Sequence, residues 1–243
     1  MKKYIMERAI RVEDSGPQIS RSQASDAYEA IRGGIVSGRH APDKKLKIQD
    51  LANELAVSPG AVREALSRLV PEQLVVSRDQ RGFSVAPLSI GDLEDLTDLR
   101  CEIETICLRR SVAYGDVNWE VGILASAHRL RVTQLMKGEG ELLVNPSWVK
   151  AHATFHTALV AGCGSRRLIA LHAQLYEQSE RYRGLAAHYE TGRDIDHEHQ
   201  RIVDMALARD SEGLVDATLS HMRATTRSIV QAVKAKDSTV GPA

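Results

Sequence analysis

The chain has 243 residues, 43% of them hydrophobic and 4% aromatic, and its 32 Lys and Arg balance 32 Asp and Glu. This length supports two hydrophobic cores, while the neutral charge argues against a protein that coats nucleic acid through bulk positive charge. No segment approaches the roughly 20 apolar residues of a membrane span, and residues 1–8 lack an apolar run of signal-peptide length. Cys101, Cys107 and Cys163 lack the number and spacing of a disulfide scaffold or metal knuckle. We therefore expect a soluble, cytoplasmic, two-domain protein with buried thiols.

The amino-terminal third is predicted to contain a polar arm and a helix-turn-helix. Residues 1–24 are polar and lack periodicity, so we expect a flexible N-terminal arm there, followed by a helix from about Ser25 to Ser37. Residues 48–69 carry apolar side chains at helical spacing on both sides of a tight turn, namely Leu51, Ala52 and Leu55 before it and Val62, Ala65, Leu66 and Leu69 after it. Each predicted helix can bury this stripe against the other, which is typical of a helix-turn-helix.

The second helix of this pair has a clear start signal, and a hairpin follows it. Ser58 can cap the helix with its hydroxyl, and Pro59 occupies the first helical position, where a missing amide hydrogen costs nothing. The β-rich runs 74–77 and 83–86 flank a five-residue turn and predict a wing. Arg78 and Arg81 lie near its tip, where they could reach phosphates or a minor groove. We therefore predict a winged helix-turn-helix over residues 25–87.

This segment resembles the DNA-binding domain of the GntR family of bacterial transcription regulators. The resemblance rests on Leu-Ala-x-x-Leu-x-Val-Ser at 51–58, on Val-Arg-Glu-Ala-Leu at 62–66 and on the wing glycine Gly82. It implies operator binding through a recognition helix, with Arg63 at the position of the family's DNA-contacting arginine. The family usually has an arginine after the capping serine, whereas this chain has Pro59. The operator sequence of relatives therefore cannot be carried over.

Candidate DNA-contacting residues lie before the first helix of the pair, along the second helix and on the wing. They are Lys47, Ser58, Gly60, Arg63, Arg68, Arg78, Arg81 and Gly82. An arginine can bind guanine through two hydrogen bonds or clamp a phosphate, and a glycine permits close approach of the backbone to DNA. We expect the partner to be double-stranded DNA with a pseudo-palindromic operator, bound by a homodimer.

The remainder of the chain predicts an all-helical effector domain at 91–235 and a C-terminal tail at 236–243. Apolar residues recur at helical spacing through 93–113, 120–137, 148–162, 166–189, 195–208 and 211–235. Turn residues separate several of these segments, at 138–140, 163–165 and 209–210. The predicted fold class is mainly α, with an N-terminal winged helix-turn-helix and a C-terminal all-α bundle.

Four histidines are predicted to point into this bundle. His152 and His156 are one helical turn apart, and His199 and His221 follow the apolar spacing of the last two helices. One inward histidine is usually a hydrogen-bonded core residue, but four carry a desolvation cost that a shared metal removes. We therefore predict a divalent metal site formed by these four imidazoles.

The histidine pattern also resembles the FCD effector domain of the FadR branch of the GntR family. Many members bind a divalent metal through Asp-x-x-x-His and two later histidines, which match His156, His199 and His221 here, while His152 replaces the usual Asp. A fourth imidazole in place of a carboxylate leaves the ion with its full charge, which favours an anionic effector. Imidazole ligands favour Zn, with Ni or Co also compatible.

A further resemblance suggests the effector. Residues 155–165, with His152 and the later Arg-Tyr-Arg at 181–183, are similar to the carbon-starvation-induced repressors of this branch. This implies a short carboxylate effector, with glutarate as one possibility. Arg100 matches a family arginine four residues before Glu104, and Arg183 is a second candidate to bind the carboxylate. Two alternatives need no effector. Arg100 and Glu104 could form an exposed ion pair, and the charged segment at 181–183 could be a solvated face.

The sequence thus predicts a non-enzymatic transcription regulator, most simply a repressor, whose operator binding depends on a small carboxylate. Two alternatives remain at this point. A metal-responsive repressor would use the metal itself as the signal, with no organic effector. A metal-dependent hydrolase with an appended DNA-binding domain would use the metal to activate water, but the sequence shows no nucleophile motif and no general base without another explanation.

Overall fold

The computed structural model describes residues 22–78, 82–136, 145–186 and 193–239, which form a winged-helix domain followed by a helical bundle. The mainly α fold class predicted from the sequence is confirmed. Among the described residues, no helix has the length and apolar character needed to cross a membrane.

The winged-helix domain contains three helices and a small antiparallel sheet. Its elements are α1 (Gln23–Val36), β1 (Lys45–Leu46), α2 (Ile48–Leu55), α3 (Pro59–Leu69), β2 (Val75–Arg78) and β3 (Gly82–Val85). The strand order is β1-β3-β2, with Leu46 opposite Phe83 and Val75 opposite Val85. The predicted hairpin is confirmed within one residue at each end. Strand β1 was missed because two residues are too few to show an alternating pattern.

Local signals in the sequence explain where these helices begin and turn. The Ser22 hydroxyl accepts a hydrogen bond from the Ser25 amide, so α1 begins at Gln23, two residues before its predicted start. The Ser58 hydroxyl caps α3 in the same way through the Ala61 amide. Between α2 and α3, Ala56 adopts a left-handed conformation with φ of 53°, which makes the turn. Of the predicted arm at 1–24, residues 1–21 lie outside the described residues.

In the part of the bundle that the structure describes there are six long helices. They are α4 (Ile90–Tyr114), α5 (Val117–Arg131), α6 (Pro146–Val160), α7 (Arg166–Ala186), α8 (Ile195–Leu207) and α9 (Ser211–Thr239). The turns predicted at 163–165 and 209–210 are confirmed, with φ of 68° at Gly164 and 55° at Arg209. Helix α9 extends into the predicted tail at 236–243, and the predicted turn at 138–140 lies outside the described residues.

Helix α5 ends six residues earlier than predicted, at Arg131 rather than Lys137. The Val132 amide donates to the His128 carbonyl and the Thr133 amide to the Leu130 carbonyl, while the Thr133 hydroxyl donates to the Arg129 carbonyl. Two consecutive β-branched residues disfavour continued helix, and a threonine hydroxyl competes for backbone hydrogen bonds. The apolar spacing alone could not reveal this end.

The bundle core lies between the inner faces of α4, α5, α6, α8 and α9. Its largest fully buried apolar side chains include Leu108, Ile123, Phe155, Ile202 and Leu214. Burial of each such side chain contributes about 1.5–3 kcal/mol. Helix α7 packs against α4 and α9 in the bundle and also against α1 of the winged helix. It is therefore the long helix that joins the two domains.

Candidate metal centre and DNA interface

The four predicted histidines meet in the centre of the bundle. His152 and His156 come from α6, His199 from α8 and His221 from α9, and each is at most 6% exposed. One ligand-capable atom from each residue lies within 4.8 Å of the other three. The prediction that all four point inward is therefore confirmed.

The hydrogen bonds of these imidazoles leave nitrogen atoms directed at a common centre. His221 Nδ1 lies 2.7 Å from Glu198 Oε2, so Nδ1 donates to the carboxylate and Nε2 carries a lone pair. Nε2 of His221 and Nε2 of His199 are buried and have no hydrogen-bond partner among the described residues. A buried polar atom without a partner costs free energy that a metal ligand bond would remove. These side chains therefore fit a divalent metal, and a carboxylate behind a ligating histidine is the usual supporting arrangement.

His152 occupies a different position in this network. Its Nδ1 lies 2.8 Å from both the Tyr176 hydroxyl and the Arg183 Nη1. Because a guanidinium can only donate, Nδ1 accepts and the proton lies on Nε2, which donates to His156 Nε2 at 3.1 Å. In this arrangement the Nε2 lone pairs of His199 and His221 are available to a metal, whereas that of His156 accepts the His152 proton. His156 and His152 can therefore join as ligands once that proton moves from Nε2 to Nδ1 of His152.

Burial also keeps the imidazoles neutral, which is the form that binds metals. Desolvation is the main cause, and it lowers the pKa of His199 to about 3. For His152 and His156, burial and then the neighbouring positive charges lower the pKa well below 6.5. The pKa of His221 is also lowered by burial, although its hydrogen bond to Glu198 acts in the opposite direction. No imidazole in the cluster needs to lose a proton near neutral pH to bind a metal.

The two candidate effector arginines lie beside the histidine cluster. Arg100 is 9% exposed and its guanidinium stands 5.3 Å from the centre of the Tyr176 ring. Burial lowers its pKa, while the charge of Glu104 opposes that shift. Arg183 Nη1 donates to Glu180 Oε1 at 2.6 Å as well as contacting His152. Both arginines line one narrow cavity of about 10 Å³, room for about one water molecule.

The alternative interpretations of these arginines, as an exposed ion pair and a solvated face, disagree with the burial of the side chains. An exposed Arg100–Glu104 pair was one expectation, but Glu104 is 1% exposed and its Oε2 lies 2.9 Å from His172 Nε2. These two atoms are close but are not aligned as a hydrogen bond, and within the described part of the chain His172 Nε2 has no hydrogen-bond partner. The expectation of a solvated face at 181–183 is wrong, since Arg181 is 8% exposed.

Sequence reasoning missed the supporting residues around the cluster. Glu198 holds His221 and is itself held by Arg193 at 2.5 Å, while His172 faces Glu104. Glu198 immediately precedes His199 in the acidic first turn of α8, a place where a carboxylate commonly stabilises a helix N-terminus. The contacts of Glu198 with His221 and of His172 with Glu104 cross between helices, so no spacing in the sequence could reveal them.

The structure places the predicted DNA-contacting residues on two separate parts of the winged helix. Ser58, Gly60 and Arg63 are exposed at the leading end of α3. Lys47 is exposed before α2 and lies 3.7 Å from Asp50. Among the described residues, nothing within 4 Å crowds Gly60 except the Ser58 hydroxyl, so backbone approach there is unobstructed.

The remaining DNA-contacting candidates are less directly placed. Arg68 follows Arg63 by five residues, about 140° around the helix, and its guanidinium lies 4.4 Å over the ring of Tyr28. Gly82 begins β3 with φ of 81°, a conformation that favours glycine. Arg78 ends β2, its side chain is not described, and Arg81 lies outside the described residues. Their DNA contacts stay predictions.

Comparison with known proteins agrees with this architecture. The family model of bacterial regulatory proteins of the gntR family matches residues 23–85, and the FCD domain model matches residues 95–224. The chain is 38% identical over 206 residues to the HTH-type transcriptional regulator BphR of Paraburkholderia xenovorans, covering 84% of each protein. It is 33% identical over 202 residues to the HTH-type transcriptional repressor GlaR of Escherichia coli, covering 81% of this chain and 91% of GlaR.

Solved structures share the fold at lower identity. Escherichia coli McbR/YncC superposes with a TM-score of 0.69 at 19% identity, covering 87% of this chain and 98% of that one. A putative GntR regulator from Rhodococcus sp. RHA1 gives 0.67 at 22% identity, covering 87% and 99%. At these identities the likeness supports the fold alone.

A winged helix joined to a helical effector domain is the architecture of a DNA-binding transcription regulator. The chain belongs to the GntR family of bacterial transcription regulators and carries an FCD effector domain. Members of this family bind operator DNA and typically dimerise, and FCD domains often bind a metal.

Proposed function

We propose that this protein is a homodimeric repressor whose operator binding is controlled by a small carboxylate, bound at a divalent metal held by His152, His156, His199 and His221. The observation that carries the proposal is the pair of buried Nε2 atoms, on His199 and His221, that have no partner. Zn fits an all-imidazole ligand set best, and Ni or Co are alternatives. When bound, the ion would supply a Lewis-acid position for a carboxylate oxygen.

The residues beside the cluster support an acidic effector. Arg100 and Arg183 are both buried or nearly so and line the same cavity, and Arg183 also contacts His152. Two guanidinium groups together can bind the two carboxylates of a short diacid, each through paired hydrogen bonds. The resemblance to carbon-starvation-induced repressors suggests glutarate or a related acid. We therefore propose that the protein belongs with these repressors.

The size of the cavity indicates that effector binding must rearrange these side chains. A space of about 10 Å³ admits a water molecule but no diacid. Arg183 would have to exchange its contact with His152 for one with the effector. That exchange would permit the His152 proton to move from Nε2 to Nδ1, where the Tyr176 hydroxyl can accept it.

On the DNA side, two α3 helices of the dimer would enter adjacent major grooves of a pseudo-palindromic operator. Arg63 would contact a base or phosphate, with Ser58 and Gly60 beside it, while Lys47, Arg68, Arg78, Arg81 and Gly82 complete the proposed interface. If the effector binds the protein about 100-fold more tightly in one orientation of the two recognition helices than in the other, it supplies about 2.7 kcal/mol. This is enough to release the protein from a partly saturated operator.

A second candidate is a metal-responsive repressor with no organic effector. The observation that favours it is the count of four imidazoles, because four protein ligands complete the tetrahedral set typical of closed zinc sites. In that case the metal alone would change operator affinity, and acids would have no effect.

Fluorescence anisotropy on DNA from just upstream of the protein's own gene separates these functions. We would titrate glutarate and its three- to six-carbon neighbours with the zinc-loaded protein and with protein treated with a chelator. Release by one acid that disappears on chelation supports the proposal. Indifference to every acid, with a change on adding zinc alone, supports the metal-responsive repressor and contradicts the carboxylate effector.

Two variants make the assay specific. His199→Ala should lose bound metal and the acid response while keeping operator affinity. His128→Ala is the matched control, since His128 is an exposed histidine on α5 outside the cluster. A full acid response in His199→Ala, with metal content reduced, would contradict the role of the metal.

A further inference from the structure

Helix α7 has two functional faces on opposite sides. Tyr176, Glu180 and Arg183 follow one another at spacings of four and three residues, so they share the face toward the histidine cluster. Residues 177, 178 and 181 are about 100–200° around the helix from that face. They contact the winged-helix domain instead. The same two turns of one helix therefore touch both the candidate effector site and the DNA-binding domain.

The contacts with the winged helix converge on the base of the wing. Arg181 Nη1 donates to the Gln73 carbonyl at 3.1 Å, and its Nη2 donates to the Ala86 carbonyl at 2.7 Å. Gln73 lies before β2 and Ala86 follows β3, so one guanidinium holds both ends of the hairpin. Gln178 adds a hydrogen bond from Nε2 to the Glu72 carbonyl at 3.1 Å.

Ion pairs and a hydroxyl contact extend this interface on both sides. Glu177 pairs with Arg32 of α1, and Arg32 also lies 3.6 Å from Glu72. Tyr182 donates a hydrogen bond to the carboxylate of Asp92, in the first turn of α4. Helix α7 thus contacts α1, the hairpin base and the start of the helix that follows the linker.

The chemistry of Arg181 is costly for a purely structural residue. It is 8% exposed, and its hydrogen-bond partners among the described residues are two main-chain carbonyls. Burial lowers the pKa of this guanidinium, because carbonyl dipoles only partly replace its hydration. An apolar side chain of similar length would fill the space without that cost. What the guanidinium adds is direction, since its rigid fork fixes the angle between two carbonyls and α7.

We propose that Arg181 is a positioning residue for operator binding, which fixes the orientation of the winged helix on the effector domain. In a dimer, this orientation sets the distance and angle between the two recognition helices. The required spacing of the two half-sites on DNA is then a property of the α7 contacts. A second part of the inference rests on the proposed function: movement of Arg183 on one face of α7 is transmitted to Arg181 on the other.

A half-site spacing series tests the positioning role. Half-sites in the upstream DNA are mapped by footprinting, and operators are made with one base pair added or removed at the centre. One base pair changes the separation by about 3.4 Å and the angle by about 35°. Wild-type affinity should fall about tenfold for either change, whereas Arg181→Met should bind all three operators within about threefold and the original one about tenfold more weakly.

The control variant is Arg201→Met. Arg201 is also an arginine that bridges two elements, but it is exposed on α8 and pairs with Asp216 of α9 at 3.1 Å, away from the winged helix. It should keep the wild-type spacing preference. Affinity for a single half-site should stay within about twofold of the wild-type value in both variants, which would show that the winged helix itself is folded. A spacing preference in Arg181→Met equal to that of the wild type would overturn the proposal.

Arg181→Lys covers the case in which Arg181→Met fails to fold. A lysine can donate to the same carbonyls but lacks the rigid fork, so it should restore part of the original affinity and only part of the spacing preference. Full restoration of the spacing preference by lysine would contradict the claim that the rigid guanidinium fork fixes the orientation of the winged helix.

Glutarate titrated into the zinc-loaded protein tests the transmission. If the acid changes wild-type affinity for the full operator, Arg181→Met should bind zinc with the same stoichiometry and lose that change, and retention of it would overturn transmission. If zinc and acids leave the wild type unaffected, the proposed function fails, while the spacing series still decides the positioning role.

Discussion

The burial of four neutral histidines predicts strong acid sensitivity of the metal-free effector domain. The unfolded chain takes up protons at each histidine near pH 6.5, whereas burial keeps His152, His156, His199 and His221 neutral in the fold. The unfolded state therefore binds more protons than the native state below pH 6.5. By linkage, this lowers the free energy of unfolding as pH falls from 6.5 toward the folded pKa values, which for His199 is about 3.

The size of this destabilisation follows from the histidine pKa in the unfolded chain alone. Between pH 7.5 and 5.5, a histidine that stays neutral in the fold costs about 1.4 kcal/mol, so four cost about 5 kcal/mol. The hydrogen bond from His221 to Glu198 acts against this and reduces that residue's share. A loss of about 4–5 kcal/mol is a large part of the typical 5–15 kcal/mol of a folded protein.

Tryptophan fluorescence during urea unfolding is a suitable assay. Both tryptophans, Trp119 and Trp148, are buried in the bundle, and Trp148 stacks on His152 with ring centres 4.7 Å apart. At an m-value of about 2 kcal/mol/M, the midpoint of the metal-free protein should fall by about 2 M urea between the two pH values. Zinc should raise both midpoints without abolishing the pH dependence, because the native histidines stay neutral with or without the metal.

Variants separate the cluster from the other histidines of the chain. His199→Asn should reduce the proton uptake on unfolding by about one, a quarter of the predicted value, whatever it does to the absolute stability. His128→Asn should leave the pH dependence unchanged, because His128 is exposed to water in the fold and lies outside the buried cluster. Equal free energies of unfolding at pH 7.5 and 5.5 in the metal-free wild type would refute the reasoning.

Three further predictions concern the reader and the packing of the bundle. Arg63→Ala should weaken operator binding by about 1–3 kcal/mol in anisotropy titrations with no change in the urea midpoint; unchanged affinity would remove Arg63 from the interface. Ser58→Ala should cost about 1 kcal/mol in unfolding followed by circular dichroism, because the α3 cap is lost, and Ser58→Gly should cost less. Gly162→Ala places a Cβ 3.0 Å from the Gly115 Cα and should cost about 1–3 kcal/mol. Its control, Gly122→Ala, meets nothing within 4 Å in α5 and should instead stabilise by about 0.5–1 kcal/mol; equal effects of the two substitutions would contradict the packing argument.

Local chemistry explains why the winged helix could be predicted closely. A hydroxyl at the helix start, a proline after it and apolar residues three and four apart all lie within a few residues of one another. Ser58 and Pro59 accordingly fix the start of α3 to the residue. The inward direction of the four histidines could be predicted for the same reason, since their spacing relative to apolar neighbours is a property of single helices.

Features that depend on contacts between helices could not be predicted. The pairing of Glu198 with His221 spans 23 residues, and the contact of Arg181 with Gln73 spans 108. Nothing near Glu198 in the sequence distinguishes a ligand-supporting carboxylate from a helix-capping one. Strand β1 likewise exists only because Leu46 meets Phe83 across the sheet.

The segment from Gln178 to Tyr182 shows why the charged part of α7 was misread. A polar helix segment normally indicates a solvated face, because burying such groups without partners is costly. Here all five residues are at most 9% exposed, and each side is satisfied by a different domain. Hydrogen bonds to Glu72, Gln73 and Ala86 satisfy one side, and Arg183 satisfies Glu180 on the other. The cost of burying polar groups is thus offset only while both domains stay docked, which makes this segment sensitive to any change in their relative position.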